Sequence, residues 1–196
     1  HIDLAAAEVE LAGEVGREVI LRDHLQRDCQ QNPDPFDFVI IDCPPSLGVL
    51  TLNALVAVNE VFLPLQPHFL ALHGLSKLLE TIEVVIRRLN PELRLTGVIF
   101  CMFEAATRLA QEVIGDVEQF LTAVDQPECP WYGAEIFPTR VRRNIRLAEA
   151  PSFGQTIFEY APHSNGAADY RALAEDVRRQ QAQSQNRVAN YYSSLG

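Results

Sequence analysis

The most informative stretch of this chain is Asp37-Phe38-Val39-Ile40-Ile41-Asp42-Cys43-Pro44-Pro45-Ser46. Its four consecutive apolar residues, three of them β-branched, predict a strand that is buried on both faces, as in a parallel α/β sheet. The strand delivers the acidic residue Asp42 to its carboxyl end, and two prolines then break it. Ligands of open parallel sheets bind at this edge, so the stretch predicts a functional site there.

The residues around Asp42 allow two interpretations of its role. A lone carboxylate at this edge suits a nucleotide-bound magnesium ion, because the ion prefers oxygen ligands and keeps several waters. A strand of this kind is typical of a Walker B motif. The alternative is an aspartate that caps the next turn, which is common after buried strands. The strand by itself does not decide between them.

A phosphate-binding loop is not found in residues 1–196. The form G-x-x-x-x-G-K-[ST] requires a lysine, and the one lysine of the chain stands in Gly74-Leu75-Ser76-Lys77-Leu78, without the necessary glycine spacing. We therefore expect the chain to be the C-terminal portion of a longer protein, or a relative that has lost this loop.

The composition is that of an ordinary globular protein, with 47% hydrophobic and 21% charged residues. A net charge of −10 argues against a bulk electrostatic binder of nucleic acid. The distribution is uneven, however, because four of the 16 basic residues fall within residues 139–146. The four cysteines have no metal-binding spacing, and we expect them to be reduced and mostly buried.

Helices and strands are predicted to alternate along the chain. We expect helices at about 3–12, 17–31, 50–58, 69–89, 107–124 and 167–183, and strands at about 38–41, 61–65, 95–103 and 134–137. The alternation predicts an α/β fold with a mostly parallel sheet flanked by helices. We expect one domain over residues 1–183, followed by a polar and disordered tail at 184–196.

Several segments resemble those of the ParA/Soj-type partition ATPases, the deviant Walker-A group that also includes MinD. Two of them are specific: Ile40-Ile41-Asp42-Cys43-Pro44-Pro45-Ser46-Leu47-Gly48, and Arg143-Asn144-Ile145-Arg146-Leu147-Ala148-Glu149-Ala150-Pro151-Ser152-Phe153-Gly154. Residues 2–11, 63–66, 71–75 and 164–167 fit the same order. The resemblance favours the Walker B interpretation of Asp42 over the capping one.

The resemblance implies a P-loop NTPase-like fold of the SIMIBI type, with the first strand and the P-loop lacking from this chain. It implies that Asp42 is a catalytic residue that holds Mg²⁺ through water. It also implies a switch II segment that senses the γ-phosphate, formed by Pro44, Pro45, Ser46 and Gly48. The implied cofactors are ATP and Mg²⁺. The chain alone is expected to be inactive, because the missing loop supplies most of the triphosphate binding, while the full-length parent is expected to be an ATPase.

The resemblance further implies a homodimer formed with ATP, non-specific DNA binding, and a ParB-type partner protein that stimulates hydrolysis. The expected location is the cytoplasm, in association with the nucleoid. No membrane partner is expected, because the tail around residues 180–187 has no apolar face.

Five arginines are candidates for DNA contact: Arg108, Arg140, Arg142, Arg143 and Arg146. If the segment around Arg142 is helical, Arg142 and Arg146 share one face, and neighbouring guanidinium groups there can span phosphates without reading sequence. The alternative is that one or two of the arginines pair with Glu149 and other acids, or pack near the adenine.

Two other functions remain open from the sequence. One is a non-catalytic relative without a P-loop that acts as a binding or scaffold module. The retained switch II residues argue against it, since they have little to do without a nucleotide. The other is a ParA-like protein that positions a cargo other than DNA with the same ATPase cycle. The sequence does not separate the cargo types.

Overall fold

The structure, a computed structural model, describes residues 2–34, 36–44, 46–68, 71–104, 108–126 and 129–193. The helices within these residues are α1 (Ile2–Leu11), α2 (Ile20–Gln31), α3 (Val49–Ala57), α4 (Ala71–Arg88), α5 (Arg108–Thr122), α6 (Ile145–Glu149), α7 (Ile157–Tyr160) and α8 (Asn165–Ser193). The strands are β1 (Glu60–Leu65), β2 (Arg94–Phe100) and β3 (Glu135–Ile136), and a 3₁₀ turn covers Ala150–Phe153.

The three strands form a parallel sheet in the order β1-β2-β3. On one side of β2, the backbone N–H groups of Arg94 and Cys101 donate to the carbonyls of Asn59 and Leu65, at 3.0 and 2.9 Å. On its other side, β3 runs parallel to β2 with Val98 opposite Ile136. The predicted α/β class with a mostly parallel sheet is therefore confirmed.

The chain divides into two compact units, and the first comprises residues up to 61, 72–96 and 124–133. Helix α4 gives this unit an apolar face, because its buried residues recur every three or four positions. These residues are Leu75, Leu79, Ile82 and Val85. In the same unit, the buried Asn53 of α3 donates to the carbonyl of Arg17 at 2.6 Å and accepts the backbone N–H of Leu21 at 3.0 Å. This amide therefore ties α3 to the start of α2.

The second unit comprises residues 62–71, 97–123 and 134 onward. Its core includes Val98 and Phe100 of β2, both fully buried, and a spaced set of apolar residues on α5. That set is Ala110, Val113, Ile114, Val117 and Leu121. The buried Phe137 meets the ring of Phe62 edge to face, with the centroids 5.6 Å apart.

The predicted strand before Asp42 is wrong for this chain. No strand is assigned at 38–41, and the exposed fractions of Phe38, Val39 and Ile40 are 49%, 49% and 91%. A strand needs backbone hydrogen bonds from a neighbour, and the sheet formed by the described residues contains β1, β2 and β3 alone. The apolar run therefore forms no strand, and its first three residues are exposed.

Two further expectations are corrected. Cys29 and Cys43 are exposed, and Cys101 and Cys129 are half-buried, so the cysteines are free but not mostly buried. Helix α8 continues to Ser193, ten residues beyond the predicted end at 183. The domain boundary between 183 and 184 stays a prediction. None of the helices in the described part of the chain has the length and apolar character needed to cross a bilayer.

The close approach of Phe137 to Gly97 gives a test of the packing in the second unit. A Cβ at Gly97 would overlap the ring of Phe137 and lie 3.0 Å from the carbonyl oxygen of Glu135. We expect Gly97→Ala to lower the free energy of unfolding by about 1–3 kcal/mol, because overpacking of a dense core forces its neighbours to shift. Urea unfolding of the full-length protein measures the change.

The control is Gly115→Ala on α5, where an added Cβ meets nothing within 4 Å. Replacing a glycine inside a helix with alanine raises the free energy of unfolding by about 0.5–1 kcal/mol. A Gly97→Ala variant as stable as the Gly115→Ala variant would contradict the described contact with Phe137.

Candidate functional site

The segment from Asp42 to Gly48 leads directly into α3. Gly48 is the residue before the first turn of α3, and its carbonyl accepts the N–H of Leu52 at 3.1 Å. The hydroxyl of the buried Thr51 donates to the carbonyl of Ser46 at 2.6 Å, which fixes the end of the segment on the helix. The segment is therefore anchored at its carboxyl end.

Gly48 is also where α1 approaches the segment. A Cβ at Gly48 would overlap the carboxylate of Glu8, which projects from α1. Only glycine fits between this carboxylate and α3 without moving one of them. The sequence identifies Gly48 through the resemblance, but its close contact with Glu8 is visible only in three dimensions.

The other end of the segment is open. Asp42, Cys43 and Pro44 are exposed, as is Ser46, while Pro45 lies outside the described residues. Desolvation raises the pKa of the Cys43 thiol, and the negative charge of Asp42 raises it further. An exposed carboxylate thus stands at the start of a segment whose far end is fixed.

Asp42 offers one exposed carboxylate as a possible metal ligand. In the described part of the chain, no group of three or more His, Cys, Asp or Glu residues is arranged to hold a metal. A single carboxylate suits Mg²⁺, which keeps several waters and takes its other ligands from phosphate oxygens. Asp42 fits such an ion held together with a nucleotide.

The arginine-rich segment does not form the helix that would place Arg142 and Arg146 on one face. Helix α6 begins only at Ile145, and Arg142 instead lies beside Phe103 in an isolated parallel bridge. The local cause is Asn144, whose side chain accepts the N–H of Arg146 and starts the helix there. The predicted common face of these two arginines is therefore wrong.

Arg142 is held by a carboxylate from a distant part of the chain. Its Nη2 donates to Oδ1 of Asp169 at 2.6 Å, and its Nε and backbone N–H both donate to Oδ2 at 3.0 Å. Desolvation raises the pKa of Asp169, but the hydrogen bonds and charge of Arg142 outweigh it, so the pKa lies below its ordinary value. This geometry gives Arg142 a role in positioning the backbone.

Arg146 belongs to a small network on the surface. Glu149 accepts Nη1 of Arg146 and the hydroxyl of Tyr160, both at 2.9 Å. The hydrogen bond from Tyr160 and that from Arg146 lower the pKa of Glu149. The ring of Tyr160 stacks on the exposed Phe153, with centroids 5.0 Å apart.

The remaining candidate arginines also have partners. Arg143 donates to Glu104 at 2.9 Å, and Arg108 donates to Glu112 at 3.1 Å. The guanidinium carbon of Arg140 lies 4.9 Å from the centroid of the Phe103 ring. The interpretation that arginines pair with Glu149 and other acids thus describes this structure, and DNA contact stays a prediction.

Sequence reasoning missed three residues in the second unit: Asp169, Asp176 and Met102. Asp169 and Asp176 are buried carboxylates seven residues apart on α8, a spacing of two turns that places both on one face. That spacing was a visible signal, although it does not reveal the partners. Met102, just after β2, has a φ of 50°, a left-handed conformation that is uncommon for a residue other than glycine. No local sequence pattern predicts this conformation of Met102.

Comparison with known proteins gives consistent matches along the chain. A sequence-family model described as an AAA domain matches residues 1–95. The chain is 42% identical over 176 residues to the chromosome-partitioning ATPase Soj of Treponema pallidum, covering 90% of this chain and 64% of that protein. It is 45% identical over 175 residues to the chromosome-partitioning ATPase Soj of Thermus thermophilus, covering 89% and 62%.

A third relative, the chromosome partitioning protein ParA of Myxococcus xanthus, is 41% identical over 175 residues, which cover 89% of this chain and 56% of that protein. The chain therefore spans less than two thirds of the length of these relatives. Among solved structures, cobyrinic acid a,c-diamide synthase from Mycobacterium smegmatis, with bound ADP and magnesium, superposes with a TM-score of 0.69 at 33% identity. This match covers 94% of the present chain and 62% of the synthase.

The Arg142–Asp169 contact generates a stability prediction. In Asp169→Asn, an amide NH₂ replaces one of the two oxygens that accept from Arg142, so we expect a loss of about 1–3 kcal/mol in the free energy of unfolding at pH 7. Urea unfolding of the full-length protein measures it. The control is Glu175→Gln on the same helix, where an exposed pair with Arg178 is lost and the change stays within about 0.5 kcal/mol.

The same pair sets the sign of a pH dependence. The pKa of Asp169 is lower in the folded than in the unfolded protein, so its stabilisation is present above the unfolded value and is lost as the pH falls through the folded one. The gap between wild type and Asp169→Asn should therefore narrow below about pH 4. A gap that stays constant down to pH 2 would contradict an ionised, hydrogen-bonded Asp169.

Proposed function

Because the chain belongs to the ParA/Soj family of partition ATPases in the MinD/ParA superfamily, we propose that the full-length protein is an Mg²⁺-dependent ATPase that acts in DNA partition. The observation that carries the proposal is the segment from Asp42 to Gly48. It combines an exposed carboxylate at one end with a firm attachment to α3 at the other. Identities of 41–45% to relatives named for chromosome partitioning support the same conclusion.

In the proposed site, Asp42 holds a magnesium ion through water. The ion supplies charge neutralisation on the phosphate oxygens where negative charge develops during transfer. Asp42 has the freedom to orient such a water because its side chain is exposed. The hydrogen bond from Thr51 to the carbonyl of Ser46 keeps the end of switch II attached to α3, and the carboxylate of Glu8 on α1 lies close to Gly48. The proposed switch is therefore a short segment that is exposed at its Asp42 end and fixed to α3 at the other.

The proposed cycle continues with dimerisation in the presence of ATP and with non-specific binding of the dimer to DNA. The exposed arginines Arg108, Arg143 and Arg146 support this step, since their side chains are 93%, 75% and 54% exposed. We assign Arg142 a positioning role instead, because Asp169 takes three of its donors. A ParB-type partner then stimulates hydrolysis, and the protein works in the cytoplasm at the nucleoid.

The magnesium assignment is tested by Asp42→Ala in the full-length protein. We expect Mg²⁺-dependent ATP hydrolysis to fall about 10- to 100-fold, the usual effect of removing a group that orients a metal ligand. The urea unfolding midpoint should be unchanged, because Asp42 is exposed. Asp37→Ala removes an equal charge from the same exposed segment and should keep normal turnover. Normal turnover in Asp42→Ala would refute the Walker B assignment.

The DNA interface is tested by Arg143→Ala and Arg146→Ala, measured as binding of the ATP-bound protein to a duplex of arbitrary sequence at several salt concentrations. Each substitution should weaken binding for all sequences alike and reduce the slope of log K against log salt by about one. The control is Arg87→Ala on α4, which removes an arginine of similar exposure that also pairs with a glutamate. If all three variants bind DNA as the wild type does, Arg143 and Arg146 are not part of a DNA interface.

A further inference from the structure

Three of the candidate DNA-binding arginines share one feature. Arg108, Arg143 and Arg146 are exposed, and each holds an exposed or half-exposed carboxylate at 2.9–3.1 Å. The partners are Glu112, Glu104 and Glu149. Each carboxylate occupies donors that a DNA phosphate would need, so phosphate and carboxylate compete for the same guanidinium groups.

We propose that these three glutamates, which we call covers, compete with DNA phosphates for Arg108, Arg143 and Arg146. DNA must displace them, and this competition limits the affinity for DNA. The inference rests on the proposed function and deepens it by naming what regulates the interface. It separates the three arginines from Arg142, whose partner Asp169 is only 10% exposed and also accepts a backbone N–H. A buried carboxylate of that kind does not exchange for a phosphate from solvent.

The physical basis is the weakness of exposed ion pairs. Water and salt screen them, and their side chains lose conformational freedom when they pair, so each is easily opened. A phosphate on DNA competes well because many phosphates lie along one polyanion and release counterions on binding. The displaced carboxylate then lies close to DNA and opposes binding by repulsion. Neutralising it removes both the competition and the repulsion.

The three covers differ in how firmly they are held. Glu149 also accepts the hydroxyl of Tyr160, which keeps it in place. Glu112 lies one turn beyond Arg108 on the same helix and remains nearby after it is displaced. Glu104 and Arg143 are 39 positions apart in the sequence, and Arg143 is 75% exposed. Glu104 is therefore chosen for the test, because its partner Arg143 belongs to a separate segment of the chain and is largely exposed.

The experiment is a double-mutant cycle on DNA affinity with the full-length ATP-bound protein. The proteins are wild type, Glu104→Gln, Arg143→Ala and the double variant, titrated onto a duplex of arbitrary sequence between 50 and 200 mM salt. Glutamine keeps the size of the side chain and removes its charge. The matched control is Glu83→Gln, which changes the net charge equally and opens the exposed pair with Arg87 on α4.

We expect Glu104→Gln to tighten binding about two- to five-fold, the range set by an exposed ion pair. The salt slope should stay near that of the wild type, because Arg143 contacts phosphate in both proteins once Glu104 has been displaced. In the Arg143→Ala background the same substitution should give a clearly smaller gain in affinity, because only the repulsion between Glu104 and DNA is left to remove. Glu83→Gln should leave the affinity almost unchanged in every background.

Two results would overturn the inference while leaving the proposed function standing. In the first, Glu104→Gln changes the affinity for DNA no more than the control Glu83→Gln does. The other is an equal gain in the Arg143→Ala background, which would mean general repulsion and not a cover on one arginine. If no variant binds DNA, including the wild type, the proposed DNA-binding function fails and the inference fails with it.

Discussion

Two carboxylates on α8 hold the segment between β3 and α6, and the position of the arginines in that segment depends on them. Asp176 accepts the backbone N–H of Thr139 at 3.0 Å, and Asp169 accepts that of Arg142 at the same distance. Each also accepts a guanidinium group, from Arg179 and Arg142, so neither buried charge is left uncompensated. Removing either carboxylate would release the backbone that leads into α6.

This arrangement reconciles the acidic composition with the proposed DNA interface. A net charge of −10 disfavours DNA binding by the molecule as a whole. The structure pairs most of the relevant arginines with acids, some buried and some exposed. In the exposed pairs, a polyanion can take the place of the acid as the partner of the arginine, although the charge of the acid stays nearby. Affinity then depends on local exchange of partners more than on total charge.

The sequence predicts those helices whose apolar residues recur at helical spacing. Helices α4 and α5 carry apolar residues at helical spacing, and their predicted limits lie within about two residues of those observed. The strand before Asp42 fails because a strand needs backbone partners, which apolar character alone does not supply. The arginine helix fails because Arg142 is fixed by Asp169, 27 positions away, while Asn144 starts the helix after it. Contacts of this range leave no periodic signal.

For the candidate site, the sequence indicated some of the residues and not others. Asp42 and Gly48 are singled out as candidates by the motif, and the structure adds that a side chain at Gly48 would displace the carboxylate of Glu8. The buried aspartates of α8 were not identified, since a buried acid and an exposed one look alike in a single sequence. Their seven-residue spacing becomes meaningful only when the facing backbone is known. A motif therefore points to candidate acting groups, whereas the residues that position a segment become visible only in the structure.

The carboxylate contacts also make two amide protons into reporters of helix docking. Thr139 and Arg142 lie outside the helices and the main strands, yet their N–H groups are held by α8 side chains. Hydrogen exchange at these two amides therefore requires that the contacts with the α8 carboxylates open locally, and it does not require global unfolding. Their exchange rates, compared with those of amides in β2, measure how often the arginine segment is released in the native protein.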